Sequence, residues 1–160
     1  MPVTSGTATV TLPADNQILI AREFDAPRHL VYKAWTTPEL VMQWWSGRQG
    51  EMTLAEIDLR VGGKWRYVMT AQGGVEIAFN GEYREIVPNE RIVNTEVFEA
   101  MPGDPALNVV TFTEVDGHTR LELLVECETK EARDGIMASG MEVGMQEQMD
   151  LLEELAISLR

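Results

Sequence analysis

Between Thr53 and Cys127 the chain runs through six strand-length segments, residues 53–60, 64–70, 75–87, 91–99, 107–115 and 118–127, with no link between them longer than a turn or short loop. Parallel neighbours need a crossover of roughly a dozen residues or more, so links this short force an antiparallel meander. The links carry the chemistry of reversal: Gly62-Gly63, Gly73-Gly74, Pro88-Asn89, a loop over residues 101–105, and Asp116-Gly117. Asp-Gly between Val115 and His118 is the strongest hairpin signal in the chain, because both central positions of a tight hairpin turn favour positive φ.

Two further strands, residues 9–11 and 17–24, precede the meander around the turn Pro13-Ala14-Asp15-Asn16. Ile18, Ile20 and Arg22 share a face of the second. Asp25-Ala26-Pro27 then opens a helix, with Asp25 or the residues after it as the cap, and Leu30, Val31, Ala34 and Trp35 form its apolar stripe. Thr37-Pro38-Glu39 repeats the start signal for a second short helix ending near Trp45. From Lys130 to about Leu159 the pattern predicts one unbroken helix. Met137, Met141, Met145, Gln148 or Met149, and Leu152 fall on one face of it. The class is α+β, a curved antiparallel sheet wrapped around a long C-terminal helix. Residues 1–15 read as a partly flexible segment and residues 16–160 as a single domain.

Charge and motif content narrow the function. Twenty-six acidic against 13 basic residues leave a net charge of −13. With no basic stretch, such a chain suits neither nucleic acid nor an anionic membrane surface. The apolar runs are far shorter than the ~20 residues of a membrane-spanning helix, and no signal peptide is recognisable. One cysteine, Cys127, fits a cytoplasmic location and reads as a small apolar filler. Two distant histidines, His29 and His118, with one cysteine do not supply metal-ligand spacing. There is no phosphate loop, dinucleotide fingerprint or nucleophile elbow. The expectation is no cofactor, no metal and no assigned catalytic residue. Most of the strand carboxylates Glu56, Asp58, Glu76, Glu82, Glu85, Glu96 and Glu122 read as solvated outward faces, although one buried Glu, or Arg66, could act on a ligand by acid–base or hydrogen-bond chemistry.

Several segments together resemble one known family. Phe24-Asp25-Ala26-Pro27 with Val31-Tyr32-Lys33-Ala34-Trp35-Thr36, and Pro38-Glu39-Leu40 with Trp44-Trp45, are similar to its two short helices. The stretches 58–66 and 81–93 are similar to its double-glycine strand turn and central hairpin. Gly140-Met141-Glu142-Val143-Gly144 followed by Leu151-Leu152-Glu153-Glu154-Leu155 resembles its closing helix. The family is the activator of heat-shock protein 90 ATPase homologues, within the START-like (SRPBCC) superfamily. The resemblance implies the helix-grip fold and a cavity between sheet and closing helix. Where family members commonly carry Trp after the second helix glycine, this chain has Met145.

On that fold the candidate cavity wall is the aromatic set and the methionine stripe. Trp65, Tyr67 and Met69 alternate on one strand face, as do Phe79 and Tyr83 on the next. Phe98 and Phe112 join them, and Trp44-Trp45 offers one ring to packing and one to a pocket mouth. Met137, Met141, Met145, Gln148 and Met149 supply the opposite wall, where soft side chains suit a surface of adaptable shape. Every one of these would also serve as ordinary core. The function expected is binding of an apolar or aromatic small molecule by a monomer or homodimer. A stress-related protein-interaction module is the alternative, and a cyclase- or hydrolase-type enzyme in the same cavity a further one.

Overall fold

The Asp116-Gly117 turn closes as its residues dictate, with φ of 52° and 81° and Val115 paired to His118. The computed structural model describes residues 8–48 and 50–160. The expected flexible start lies outside the described residues over 1–7. From Ala8 the chain is in place, with the Ala8 amide and carbonyl both bonded to the Gln146 side chain.

Among the described residues eight strands make one sheet: β1 (Thr9–Thr11), β2 (Gln17–Phe24), β3 (Gly50–Ile57), β4 (Lys64–Ala71), β5 (Glu76–Val87), β6 (Arg91–Phe98), β7 (Ala106–Val115) and β8 (His118–Glu126). Their order is β1-β2-β8-β7-β6-β5-β4-β3, every pair antiparallel. The helices α1 (Arg28–Thr36) and α2 (Pro38–Val41) carry the chain from β2 to the far edge at β3, and the meander returns to β8 beside β2. This is the helix-grip arrangement. β3 begins and ends three residues earlier than the sequence suggests, because residues 58–63 are spent on a turn closed by Asp58 N–H to the Lys64 carbonyl. α2 stops at Val41 and continues as turns rather than helix to Trp45. Nor does Asp25 cap α1: Pro27 takes the cap position, and Glu114 of β7 accepts from the Arg28 amide at 2.8 Å.

The expectation of one unbroken closing helix is overturned. α3 (Lys130–Ala138) ends at Ser139, and α4 (Met141–Ser158) starts afresh behind Gly140 at φ 80°. A left-handed residue cannot continue a right-handed helix, and glycine adopts that conformation without steric cost. α4 is 18 residues long, about five turns.

α4 lies against the concave face, and one buried ion pair registers it there. Arg22, 4% exposed in the middle of β2, donates to Asp150 at 2.6 Å and to Glu153 at 2.9 Å. The other Glu153 oxygen accepts from the Asp25 amide at 2.8 Å. Below this anchor the core is closed: Phe24, Ala26, Val31, Leu121, Leu152 and Ala156 have almost no exposed surface. Removing one member of a buried pair strands the other charge. Arg22→Ala is therefore expected to cost about 3–5 kcal/mol, measured by denaturant unfolding, whereas Arg22→Met with Glu153→Gln together should recover much of it.

Gly81 in β5 marks a second constraint. The Trp65 indole passes over it to donate to the Thr95 carbonyl at 3.1 Å. A Cβ at Gly81 would lie 1.8 Å from that carbonyl oxygen and 2.6 Å from the indole nitrogen. Gly81→Ala should push the strand pair apart and lower stability by about 3 kcal/mol or more, read from the melting temperature.

Candidate functional site

Above the Arg22 anchor the sheet curves away from α4, and a cavity of about 910 Å³ lies between them. Its walls follow the two-residue period of the strands. β4 contributes Trp65, Tyr67 and Met69, and β5 Ile77, Phe79 and Tyr83. β6 adds Asn94, Glu96 and Phe98, while β7 adds Ala106, Asn108 and Val110. The helical wall is Met141, Met145, Gln148 and Met149, with Ile136 from α3. The helix break itself, Ser139-Gly140, stands at the edge, facing the 101–104 loop.

The Trp44-Trp45 pair divides its work. Trp44 is buried, donates to the Ala34 carbonyl at 2.9 Å and leans on Trp35 with ring centroids 5.0 Å apart. Half-buried Trp45 sets its edge against Tyr67 and Phe79, both at 5.3 Å, and its carbonyl accepts from Gln148. Phe79 stacks on Phe98 at 5.1 Å.

Two of the expected wall residues lie elsewhere. Phe112 has the correct strand parity but sits at the closed end, edge-on to Tyr32 at 5.5 Å and Trp35 at 6.1 Å. Met137 belongs to α3, and the left-handed Gly140 breaks the four-residue spacing that joined it to Met141; it packs against the core instead. Trp35, Ile18 and Ile20 are wall residues that the sequence reading placed only on an apolar helix stripe and a strand face.

The polar end of the cavity is where that reading missed most. Glu96 does not face solvent. It shares strand parity with Asn94 and Phe98, and the surface it retains is cavity wall. That parity was the available signal: once Phe98 is turned inward, Glu96 must follow. Burial pushes its carboxyl above the ordinary carboxylate range, against the pull of a 2.8 Å hydrogen bond from the Asn108 amide. Asn108 is 8% exposed, and its Oδ1 has no partner within the protein. The phenols of Tyr67 and Tyr83 act on each other, and burial raises both. Cys127 also lines this region with its thiol pushed up by burial. Arg66 is not part of it: it forms a two-bond pair with Glu99, 2.8 and 2.9 Å, together with Asn80, outside the cavity. That pair holds the Glu99 carboxyl down at about 2.

With this geometry in place the relatives can be compared. The family model described as activator of Hsp90 ATPase homolog 1-like protein matches residues 25–156. The chain belongs to that family. A structure from Rhodobacter sphaeroides superposes with a TM-score of 0.89 at 25% identity, covering 96% of this chain and 99% of its own. One from Mycobacterium smegmatis gives 0.83 at 25% identity (92% and 96% covered), and one from Chromobacterium violaceum 0.76 at 28% (88% and 96%). No curated protein matches. Among the described residues of this Hsp90 ATPase activator homolog 1-like chain, no helix is long and apolar enough to cross a membrane, and no cluster of His, Cys, Asp or Glu could hold a metal.

The buried Glu96 makes stability pH-dependent in a defined direction. Its folded-state pKa lies above the unfolded value, so its stabilising contribution is whole below about pH 4 and is lost as pH rises through the folded value. Glu96→Gln should leave the melting temperature unchanged near pH 4 and raise it near pH 7.5, by about 2–4 °C for each kcal/mol recovered. Equal melting temperatures for the two proteins at both pH values would mean that Glu96 is solvated.

Proposed function

We propose that the protein binds an apolar or aromatic small molecule in the cavity between α4 and the sheet. One observation carries this reading: about 910 Å³ of space walled by aromatic rings and methionines, with a few convergent polar groups at one end. Small-molecule sites have this volume and composition, mostly apolar with a few placed polar atoms. A packed core would have filled it, since empty space of that size forfeits contact on every wall. An apolar body burying about 200 Å² contributes roughly 5 kcal/mol before ordering costs, a Kd of about 0.2 mM, so tighter binding needs more buried area or a polar group that orients the ligand.

A second reading rests on Glu96 itself. A carboxyl of raised pKa near the Tyr67 phenol is equipment for general acid–base chemistry on whatever is bound.

The test uses Met145, which is buried on α4 and faces the cavity. Met145→Trp should fold with an unchanged or higher melting temperature and bind the neutral dye Nile red about tenfold more weakly, because the indole fills ligand space. If the region were closed core, the same change would overpack it by about 1–3 kcal/mol, and neither protein would take up the dye.

A further inference from the structure

The cavity carries a chemical bias that shape alone does not explain. Inside the mouth, the one carboxyl among the described wall residues is Glu96, and the phenols of Tyr67 and Tyr83 engage each other. Glu96 lines the cavity with the carboxylate oxygen not taken by Asn108, whose own Oδ1 is enclosed beside it without a partner. Asn108 turns its amide Nδ2 to Glu96, and this orientation points its carbonyl oxygen away from the only partner it has. Among the described lining residues there is no lysine, arginine or histidine, while Asp104, Glu128 and Glu131 stand exposed around the mouth. The nearest cations on α3 are already engaged. Lys130 pairs with Asp134 at 3.1 Å, and Arg133 with Asp134 at 2.9 Å and the Ala14 carbonyl at 3.0 Å.

We infer that the preferred ligand is an apolar or aromatic amine in its protonated form, its ammonium donating to Glu96. This rests on the cavity being a ligand site and adds the class of head group. Three physical effects act together. An ammonium has donors and no acceptor, matching a carboxylate oxygen that lacks a donor. A carboxylate in a low-dielectric hollow gains most from an opposite charge placed against it, and the same hollow penalises an incoming carboxylate. The acidic mouth, on a chain of net charge −13, concentrates cations and repels anions before they enter. The selection works against fatty acids and other apolar anions, for which the cavity has room and no counter-charge.

The experiment compares three ligands with one body: 2-(2-naphthyl)ethylammonium, 2-(2-naphthyl)ethanol and 2-naphthylacetate. Each is titrated into the full chain by calorimetry near neutral pH, alongside Glu96→Gln, whose side-chain carbonyl still accepts from Asn108. The ammonium should bind about tenfold or more tighter than the alcohol, and the acetate weakest. In Glu96→Gln the ammonium should fall to the level of the alcohol, whose own affinity moves by no more than about twofold. Three equal affinities, or tightest binding by the acetate, would overturn the head-group inference while leaving the cavity a ligand site. No binding of any probe or of Nile red by folded protein would overturn both. If Glu96→Gln fails to fold, the ranking on the unaltered protein decides.

Discussion

The ion pair of Arg22 with Asp150 and Glu153 determines where α4 crosses the sheet, and much of the rest follows from that crossing. A guanidinium buried in the middle of a strand costs several kcal/mol in lost hydration unless it is matched by carboxylates at hydrogen-bond distance. This placement of α4 supplies both carboxylates at once, and the second oxygen of Glu153 is further committed to the Asp25 amide. The face of Phe24, 5.3 Å beneath the guanidinium, adds a cation–π contact. The helix is therefore held in register by directional bonds and not only by apolar contact, which would let it slide.

From that fixed point the two halves of α4 behave differently. Toward its C-terminus the sheet is close, and Leu152 and Ala156 complete a core with Phe24, Val31 and Leu121. Toward its N-terminus the sheet curves away, and the residues facing the gap change from Leu and Ala to Met141, Met145 and Met149. Unbranched thioethers line a variable space at lower cost than rigid branched side chains do. The break at Gly140 ends the helix at the cavity edge, so α3 and the 101–104 loop border the opening instead of a continuous helix closing it. The same curvature brings Glu96 and Asn108, adjacent strands apart, to the polar end of an otherwise apolar hollow.

Much of this was legible in local sequence. Asp116-Gly117, Gly73-Gly74 and Pro88-Asn89 mark the hairpins, because left-handed backbone needs Gly, Asn or Asp, and each of these turns does carry positive φ. The inward parity of Trp65, Tyr67, Phe79 and Tyr83 follows from alternation alone. Where the reading failed, a non-local cause had intervened. Phe112 keeps the inward parity, but how far along the strand the cavity extends depends on where α4 touches down. Met137 kept its spacing from Met141 on paper, and one left-handed residue removed it. Glu96 looked solvated because a glutamate in a strand ordinarily is, and its partner Asn108 arrives only through the β6–β7 register.

What the sequence by itself determined is the order of elements and the inward face of each strand, along with an acidic chain that lacks metal-ligand and phosphate-binding patterns. Periodicity and turn chemistry act over a few residues, so a single chain read alone contains them. The tertiary structure alone decided that the concave face is hollow at one end and closed at the other. It alone decided that the closing helix is two helices, and that a carboxylate bonded to a buried amide lines the hollow. Each depends on distances between segments remote in the chain, set by sheet curvature and by the Arg22 anchor, and no local pattern encodes a distance of that kind.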